Sequence, residues 1–284
     1  MEPDGPSERT PKRSLVGPIA RSFLFVPGNR PDRFEKAYAS EAHAVIVDLE
    51  DAVGPEHKEG AREAAAAWLD SSHPVLLRIN AAGSEWFQED LALAGLSGVS
   101  AVVLPKAEGV EEVRRVGERT RPEVPVLALI ESALGMHLAL EIAREPNVQR
   151  LAFGSWDFRH DLGIEGDGEE LLAFRSHLVL VSRLAGIQPP VDGIWTDFDD
   201  EDGLRAHARR GRRLGFGGTL CIHPKQIATV NDCFRPSQED IDWAKRVLDA
   251  VASSRGSVVA LDGQMIDSPL ILVAERILGD VEEP

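Results

Sequence analysis

The sequence predicts an α/β chain closed into a (β/α)8 (TIM) barrel, and three observations predict it. Eight short Val/Leu/Ile/Phe-rich runs recur between residues 22 and 224, the pattern of parallel strands buried on both faces. Helix-compatible stretches separate them. Charged residues collect just past the C-terminal ends of these runs, where a barrel of this kind keeps its chemistry. An open doubly wound sheet competes, but no G-x-G-x-x-G follows the first run.

SFLFVP (22–27) opens the series. After it, VPGNRPDRF puts a Gly-Asn turn before Arg30 and Arg33 at a helix start, which suits either an anion pocket or an ordinary βα turn. AVIVDL (44–49) delivers Asp48, Glu50 and Asp51 ahead of the helical KEGAREAAAAWLD. VLLRIN (75–80) delivers Arg78, a permanent cation, and AVVLPK (101–106) ends in Lys106, which either faces substrate or pairs with Glu131. VLALIE (126–131) ends in Glu131, and LAFGS (151–155) leads to Asp157. VDGIW (191–195) and GTLCIHP (218–224) complete the set, with Cys221 in an apolar run and His223 as a packed strand-end residue.

Residues 1–20, rich in Pro, Gly and charge, are expected to form a flexible tail, and residues 21–235 the barrel. Residues 236–284 are expected to extend that domain as a helix–hairpin–helix lid or oligomer arm, with DG in SVVALDGQMID as the turn signal.

A 284-residue chain with 43 % apolar content can bury a sizeable core. A net charge of −16 disfavours nucleic acid as a partner and obliges any anionic substrate to find local cations or a metal. No apolar run approaches the roughly 20 residues of a membrane span, and the start lacks the apolar region of a secretory signal. Two cysteines, Cys221 and Cys233, make no disulfide framework, so a cytoplasmic location is expected. Zinc-type Cys/His spacing, a G-x-S-x-G elbow and a Walker loop are all missing.

Glu131 and Asp157, at consecutive strand ends, are what a hard cation such as Mg²⁺ needs, because it takes oxygen ligands and keeps several waters. The bland alternative is two buried acids, each paired with a basic neighbour. Arg78 at a rim is either a structural salt bridge closing the barrel or a functional cation, since an unpaired buried charge costs several kcal/mol. Asp48 and Glu50 are expected to hold metal-bound waters or Arg78, or to cap the following helix.

At these residues the chain resembles the citrate lyase beta-subunit family, part of a wider group of magnesium-dependent acyl-CoA carbon–carbon lyases that includes malyl-CoA and citramalyl-CoA lyases. RSFLFVPGNRPDRF, AVIVDLEDAV, LLRIN, LPKAE, ALIESALG, AFGSWDF, DGIWTD, GFGGTLCIHPKQI and GQMIDSPL carry the resemblance in order, from residue 21 to about 278. It implies a barrel, usually a homotrimer, binding Mg²⁺ through Glu131 and Asp157, with Arg78 as the catalytic cation. Arg78, Arg21 and Lys106 are the implied substrate contacts. Asp267 is the implied acid/base, reaching a neighbouring subunit's site. Trp156 is bulkier than the small residue expected between Ser155 and Asp157. The implied reaction is cleavage of a 3-hydroxyacyl thioester, with citryl-CoA yielding acetyl-CoA and oxaloacetate. Malyl-CoA or citramalyl-CoA lyase or thioesterase activity is the nearest alternative. Further alternatives are a carrier-protein-dependent subunit inactive alone, and a barrel kept only as a scaffold.

Overall fold

The computed structural model describes residues 20–253, 259–262 and 264–282. The tail expected over residues 1–20 therefore lies outside the described residues, except for Ala20. The chain divides into two compact units, the first running from Ala20 to Cys233 and the second taking the chain from Phe234 onward.

Eight parallel strands close the first unit into a barrel in sequence order. They are β1 (Ser22–Pro27), β2 (Ala44–Asp48), β3 (Val75–Arg78), β4 (Val99–Leu104), β5 (Val126–Ile130), β6 (Val148–Phe153), β7 (Val191–Asp192) and β8 (Gly218–Cys221). Nine helices connect or follow them: α1 (Phe34–Tyr38), α2 (Lys58–Trp68), α3 (Phe87–Leu91), α4 (Val110–Gly117), α5 (Ala133–Arg144), α6 (Ser155–Leu162), α7 (Leu172–Ala185), α8 (Glu201–Leu214) and α9 (Gln226–Phe234). Parallel pairing needs such crossovers, and they bury both faces of every strand. Phe23, Ile46, Val103, Leu127, Leu129, Ala152, Val191 and Leu220 fill the interior, with Leu76 packed against them. Each such side chain contributes about 1.5–3 kcal/mol on burial.

Register decides which side chains meet at the mouth. Asp48 of β2 is the Cα partner of Arg78 of β3, so the acid and the cation end adjacent strands side by side. At the opposite end, Arg150 of β6 is buried without a carboxylate contact among the described residues. Its guanidinium donates to the carbonyls of Pro189 and Ala20 and covers the Phe23 ring at 5.2 Å. Burial alone pushes the Arg150 pKa down to about 9.

The expected strand VDGIW shrinks to two residues, joined to β6 through a single partnered pair, Ala152↔Val191. Side chains complete what this short ladder lacks. Arg175 of α7 donates to Asp192 at 3.0 Å and to Asp167 at 2.8 Å, and the Asp192 carboxylate also accepts the Gly193 amide at 2.9 Å. His207 Nε2 meets the Gly193 carbonyl at 3.0 Å, and Arg210 donates to Asp167 at 2.9 Å.

The second unit comprises α10 (Gln238–Ser253), an antiparallel hairpin of β9 (Val259–Leu261) and β10 (Gln264–Ile266), and α11 (Ser268–Glu282). Asp262 turns the hairpin at a left-handed φ of 50°, a conformation Asp tolerates better than most residues. Ala244, Val247, Ile266 and Ala274 form its own small core. The expected extension of the barrel is thus a compact unit in its own right. No described helix in either unit is long and apolar enough to cross a membrane.

The cluster behind β7 gives a pH dependence. Burial works to raise the Asp167 pKa, but the nearby His207 ring, hydrogen bonds from Arg175 and Arg210 and the Arg175 charge outweigh it, holding the carboxyl well below the ordinary range. A depressed folded pKa adds stability that is complete above the unfolded value of about 3.9 and is lost as pH falls through the folded value. Denaturant unfolding of Asp167→Asn should therefore show a deficit of about 1–3 kcal/mol near neutrality that closes below about pH 4. An unchanged gap across that range would remove Asp167 from the acid response.

Candidate active site

The C-terminal ends of the strands open into a cavity of about 480 Å³, lined among others by Phe25, Asp48, Arg78, Leu129, Glu131, Phe153, Trp156, Asp157, Ile194 and Ile222. Its polar groups come from the ends of β2 and β3 and from the segments that follow β2, β5 and β6. The remaining wall is aliphatic and aromatic, as a small-molecule site requires.

Arg78, at the end of β3, is 8 % exposed. Its Nε and Nη2 donate to the two oxygens of Asp48 at 2.7 and 2.6 Å, a bidentate pair, and its plane covers the Phe25 ring at 4.6 Å. Nη1 lies 3.1 Å from Glu50 Oε2 and 3.7 Å from Asp51. Burial works against the Arg78 charge, and Asp48, Glu50 and Asp51 more than offset it, so its pKa is raised. Asp48 also accepts the amides of Glu50 (2.8 Å) and Ala52 (3.2 Å), folding the acidic loop back on its own carboxylate.

Lys106 occupies a left-handed conformation at φ 46°, which costs a non-glycine residue roughly 1–2 kcal/mol. The strain sits where it is used. The turned backbone presents the Lys106 amide to Glu131 Oε2 at 2.9 Å, while its ammonium reaches Glu50 Oε1 at 2.6 Å. Lys106 therefore meets Glu131 through its backbone and spends its charge on Glu50.

Glu131 follows β5 directly and is 4 % exposed. Burial first, then the charges of Glu50 and Asp157, push its carboxyl well above the usual range, against the pull of Arg78 and the Lys106 amide. Ser132 caps α5 by accepting the Gly135 amide at 3.1 Å. Asp157 stands half-buried in the first turn of α6. Between the two acids lies Gly154, where any Cβ would collide with the Glu131 carboxylate. The missing side chain is a cradle for that carboxylate, and its need for glycine was not visible in the sequence.

These features fit a hard divalent cation. Two acids share an open cavity, one of them pressed toward its neutral form by burial and by the charges of Glu50 and of the other acid, which a cation would relieve. No group of three or more His, Cys, Asp or Glu forms a full metal cage among the described residues. One or two carboxylates with positions left for water are what Mg²⁺ takes.

The structure thus brings Asp48, Glu50, Arg78, Lys106, Glu131 and Asp157 to one mouth. Arg21 precedes β1, and its carbonyl accepts the Thr219 amide at 2.8 Å near the start of β8, at the strands' N-terminal end. Asp267 belongs to the second unit, where it is exposed and its carboxylate accepts the Leu270 amide at 3.2 Å to cap α11. Trp156 lines the mouth at 56 % exposure, with the Arg159 guanidinium 5.4 Å over its ring.

A second cavity, of about 560 Å³, shares Phe25, Pro27 and Ile222 with the mouth. Arg33, Lys36 and Lys225 supply its cations. His223 also lines it, stacked on Phe198 at 4.6 Å. Arg30, the other candidate for an anion pocket, is exposed and paired with Asp32 at 2.8 Å.

Comparison with known proteins bears on this geometry. The family model described as HpcH/HpaI aldolase/citrate lyase matches residues 21–224. A citrate lyase subunit beta-like protein of Deinococcus radiodurans is 39 % identical, over 92 % of this chain and 97 % of that protein. A (3S)-malyl-CoA thioesterase of Cereibacter sphaeroides is 35 % identical, over 92 % of this chain and 94 % of its own. The crystal structure of protein CitE from Mycobacterium tuberculosis, in complex with magnesium, acetoacetate and coenzyme A, matches with a TM-score of 0.83 at 37 % identity, covering 93 % of this chain and 99 % of that one. The chain belongs to the HpcH/HpaI aldolase/citrate lyase family.

Proposed function

We propose that the chain is a Mg²⁺-assisted carbon–carbon lyase that cleaves a 3-hydroxyacyl thioester by retro-Claisen chemistry, with citryl-CoA giving acetyl-CoA and oxaloacetate. One observation carries the reading: two acids suited to a divalent cation, just past β5 and β6, and a buried, carboxylate-braced arginine at the end of β3 line one mouth. The Mycobacterium tuberculosis relative was solved with magnesium and coenzyme A, which supports both the metal and the thioester handle.

Glu131 and Asp157 would hold the Mg²⁺. When bound, it supplies Lewis acidity toward the hydroxyl and carboxylate oxygens of the acyl group. Arg78 donates to the thioester oxygen that gathers charge as the carbon–carbon bond breaks and its electron pair forms the enolate, an interaction strongest in the transition state. Asp48 keeps the guanidinium aimed, so little reorganisation accompanies that charge. Asp267 of an adjacent protomer, as the acid/base, takes up the proton that the hydroxyl loses on becoming the oxo group and delivers a proton to the enolate carbon, with the second unit acting as the arm that carries it. Arg33, Lys36 and Lys225 of the neighbouring cavity give the phosphates of a coenzyme A a basic seat that the chain's net charge otherwise denies it. The working assembly is a homotrimer in the cytoplasm.

The 35 % identity to a malyl-CoA thioesterase favours a second reading, hydrolysis of a related thioester at the same mouth. A panel of citryl-, malyl- and citramalyl-CoA with Mg²⁺ and then EDTA separates the two. Lyase action releases a 2-oxo acid with the thioester intact on the acetyl product; hydrolysis releases free thiol and no oxo acid. EDTA-sensitive oxo-acid release is expected, and no turnover on any member would move the reading to a carrier-protein-dependent subunit.

Two substitutions test the residue roles. Glu131→Ala should lower kcat/KM by about 10²–10³-fold without a change in circular dichroism, given that one preorganised electrostatic group is worth about that much. Full activity in that variant would sink the metal assignment. Gly154→Ala should displace the Glu131 carboxylate, weakening Mn²⁺ binding followed by electron paramagnetic resonance by at least about tenfold. Wild-type Mn²⁺ affinity would mean that the glycine cradle is irrelevant to the metal.

A further inference from the structure

We infer that Lys58 is a positioning residue of this site, its ammonium clamping the turn after β2 so that Asp48 and Glu50 hold Arg78 and Lys106 in the mouth. The inference rests on the lyase reading for its kinetic consequence, although the clamp itself stands on geometry.

Lys58 is the first residue of α2, a position where a lysine ordinarily faces water, yet it is 5 % exposed. Its ammonium has three hydrogens and meets three acceptors: the Leu49 carbonyl at 2.7 Å, the Glu50 carbonyl at 2.8 Å and Asn80 Oδ1 at 2.6 Å. The Trp86 ring lies 5.0 Å from the nitrogen. No carboxylate is within ion-pair distance of Lys58 among the described residues, so this is not a salt bridge. A buried cation held by neutral oxygens is a costly way to fill space, and an apolar side chain of similar length would pack more cheaply. The expense makes sense as geometry. Carbonyls of successive residues in extended chain point in opposite directions, whereas those of Leu49 and Glu50 converge on one nitrogen. The chain must turn there, and the same turn brings the Glu50 and Ala52 amides onto Asp48.

The third acceptor is fixed in its own right. Asn80 donates Nδ2 to the Leu49 carbonyl at 2.9 Å and to Asp90 Oδ2 at 2.6 Å, and its backbone amide adds a bond to the same oxygen at 2.8 Å. Asp90, of α3, is fully buried, and Arg62 of α2 reaches its other oxygen at 3.4 Å. Lys58 thereby couples two helices and the ends of β2 and β3 to the one loop whose carboxylates brace both mouth cations. Glu131 and Asp157 follow β5 and β6 and take no part in the clamp.

The full-length protein tests this with Lys58→Met, which keeps length and loses the ammonium, and Lys58→Arg, whose planar fork cannot place one nitrogen on three acceptors. With whichever thioester is turned over, kcat should fall about 10²-fold in Lys58→Met, the scale of a small misplacement. KM and Mn²⁺ affinity should stay within about threefold, the pattern of an interaction used in the transition state. Lys58→Arg should recover less than a tenth of the lost rate, and it carries the test should Lys58→Met fail to fold. The ¹⁵N-resolved Arg78 Nε–H resonance, identified by its loss in Arg78→Lys, should be slow to exchange in wild type and at least tenfold faster in the folded variant. A folded variant with wild-type kcat and an unchanged Arg78 resonance would overturn the clamp. Full recovery in Lys58→Arg would overturn it too, because charge alone would then suffice. Should the wild type turn over no thioester, the lyase reading falls, and the Arg78 resonance alone decides the clamp.

Discussion

The mouth depends on one buried ion pair, Arg78 with Asp48. A bidentate pair at 2.6 and 2.7 Å fixes the guanidinium in both position and plane. Burying two charges is repaid only when geometry and surrounding hydrogen bonds are both good. Here the parallel register sets the geometry, since Asp48 and Arg78 are cross-strand partners. The loop amides of Glu50 and Ala52 satisfy the remaining capacity of the carboxylate. The buried cation of the mouth is thus placed by the closure of the barrel itself.

Around that pair the protein sustains an excess of negative charge. Glu50 is pushed upward chiefly by burial and further by Asp51, with Arg78 and Lys106 pulling the other way. Glu131 is pushed harder, by burial and by Glu50 and Asp157. The strained backbone of Lys106 is the local answer: one residue supplies an amide to Glu131 and an ammonium to Glu50. What charge remains uncompensated is concentrated at the two acids suited to a divalent cation. In a chain of net charge −16, this is a coherent way to attract a metal first and an anionic acyl group through it.

The barrel was legible because apolar runs buried on both faces leave a clear mark in sequence. SFLFVP matches β1 residue for residue, and AVIVDL and VLALIE each overrun β2 and β5 by one. Boundaries slipped where polar residues enter the ladder. β6 begins at Val148, three residues before the expected LAFGS, because Gln149 and Arg150 disguise its start. β7 keeps only Val191 and Asp192 of VDGIW, since the Gly193 amide and carbonyl bond to the Asp192 carboxylate and to His207 in place of neighbouring strands.

By itself the sequence determined that acids and cations would gather at one end of a parallel barrel, because strand polarity sends every strand's last residue to the same rim. It also determined which acids those were, Glu131 and Asp157 among them. Only the tertiary structure decided the partners. Lys106 spends its charge on Glu50, Gly154 makes room for Glu131, and Lys58 turns inward from a helix start that reads as surface. Those choices link residues from 8 to 56 positions apart in the chain. No local propensity encodes such distances; they follow from register and closure, which exist only once the barrel has formed.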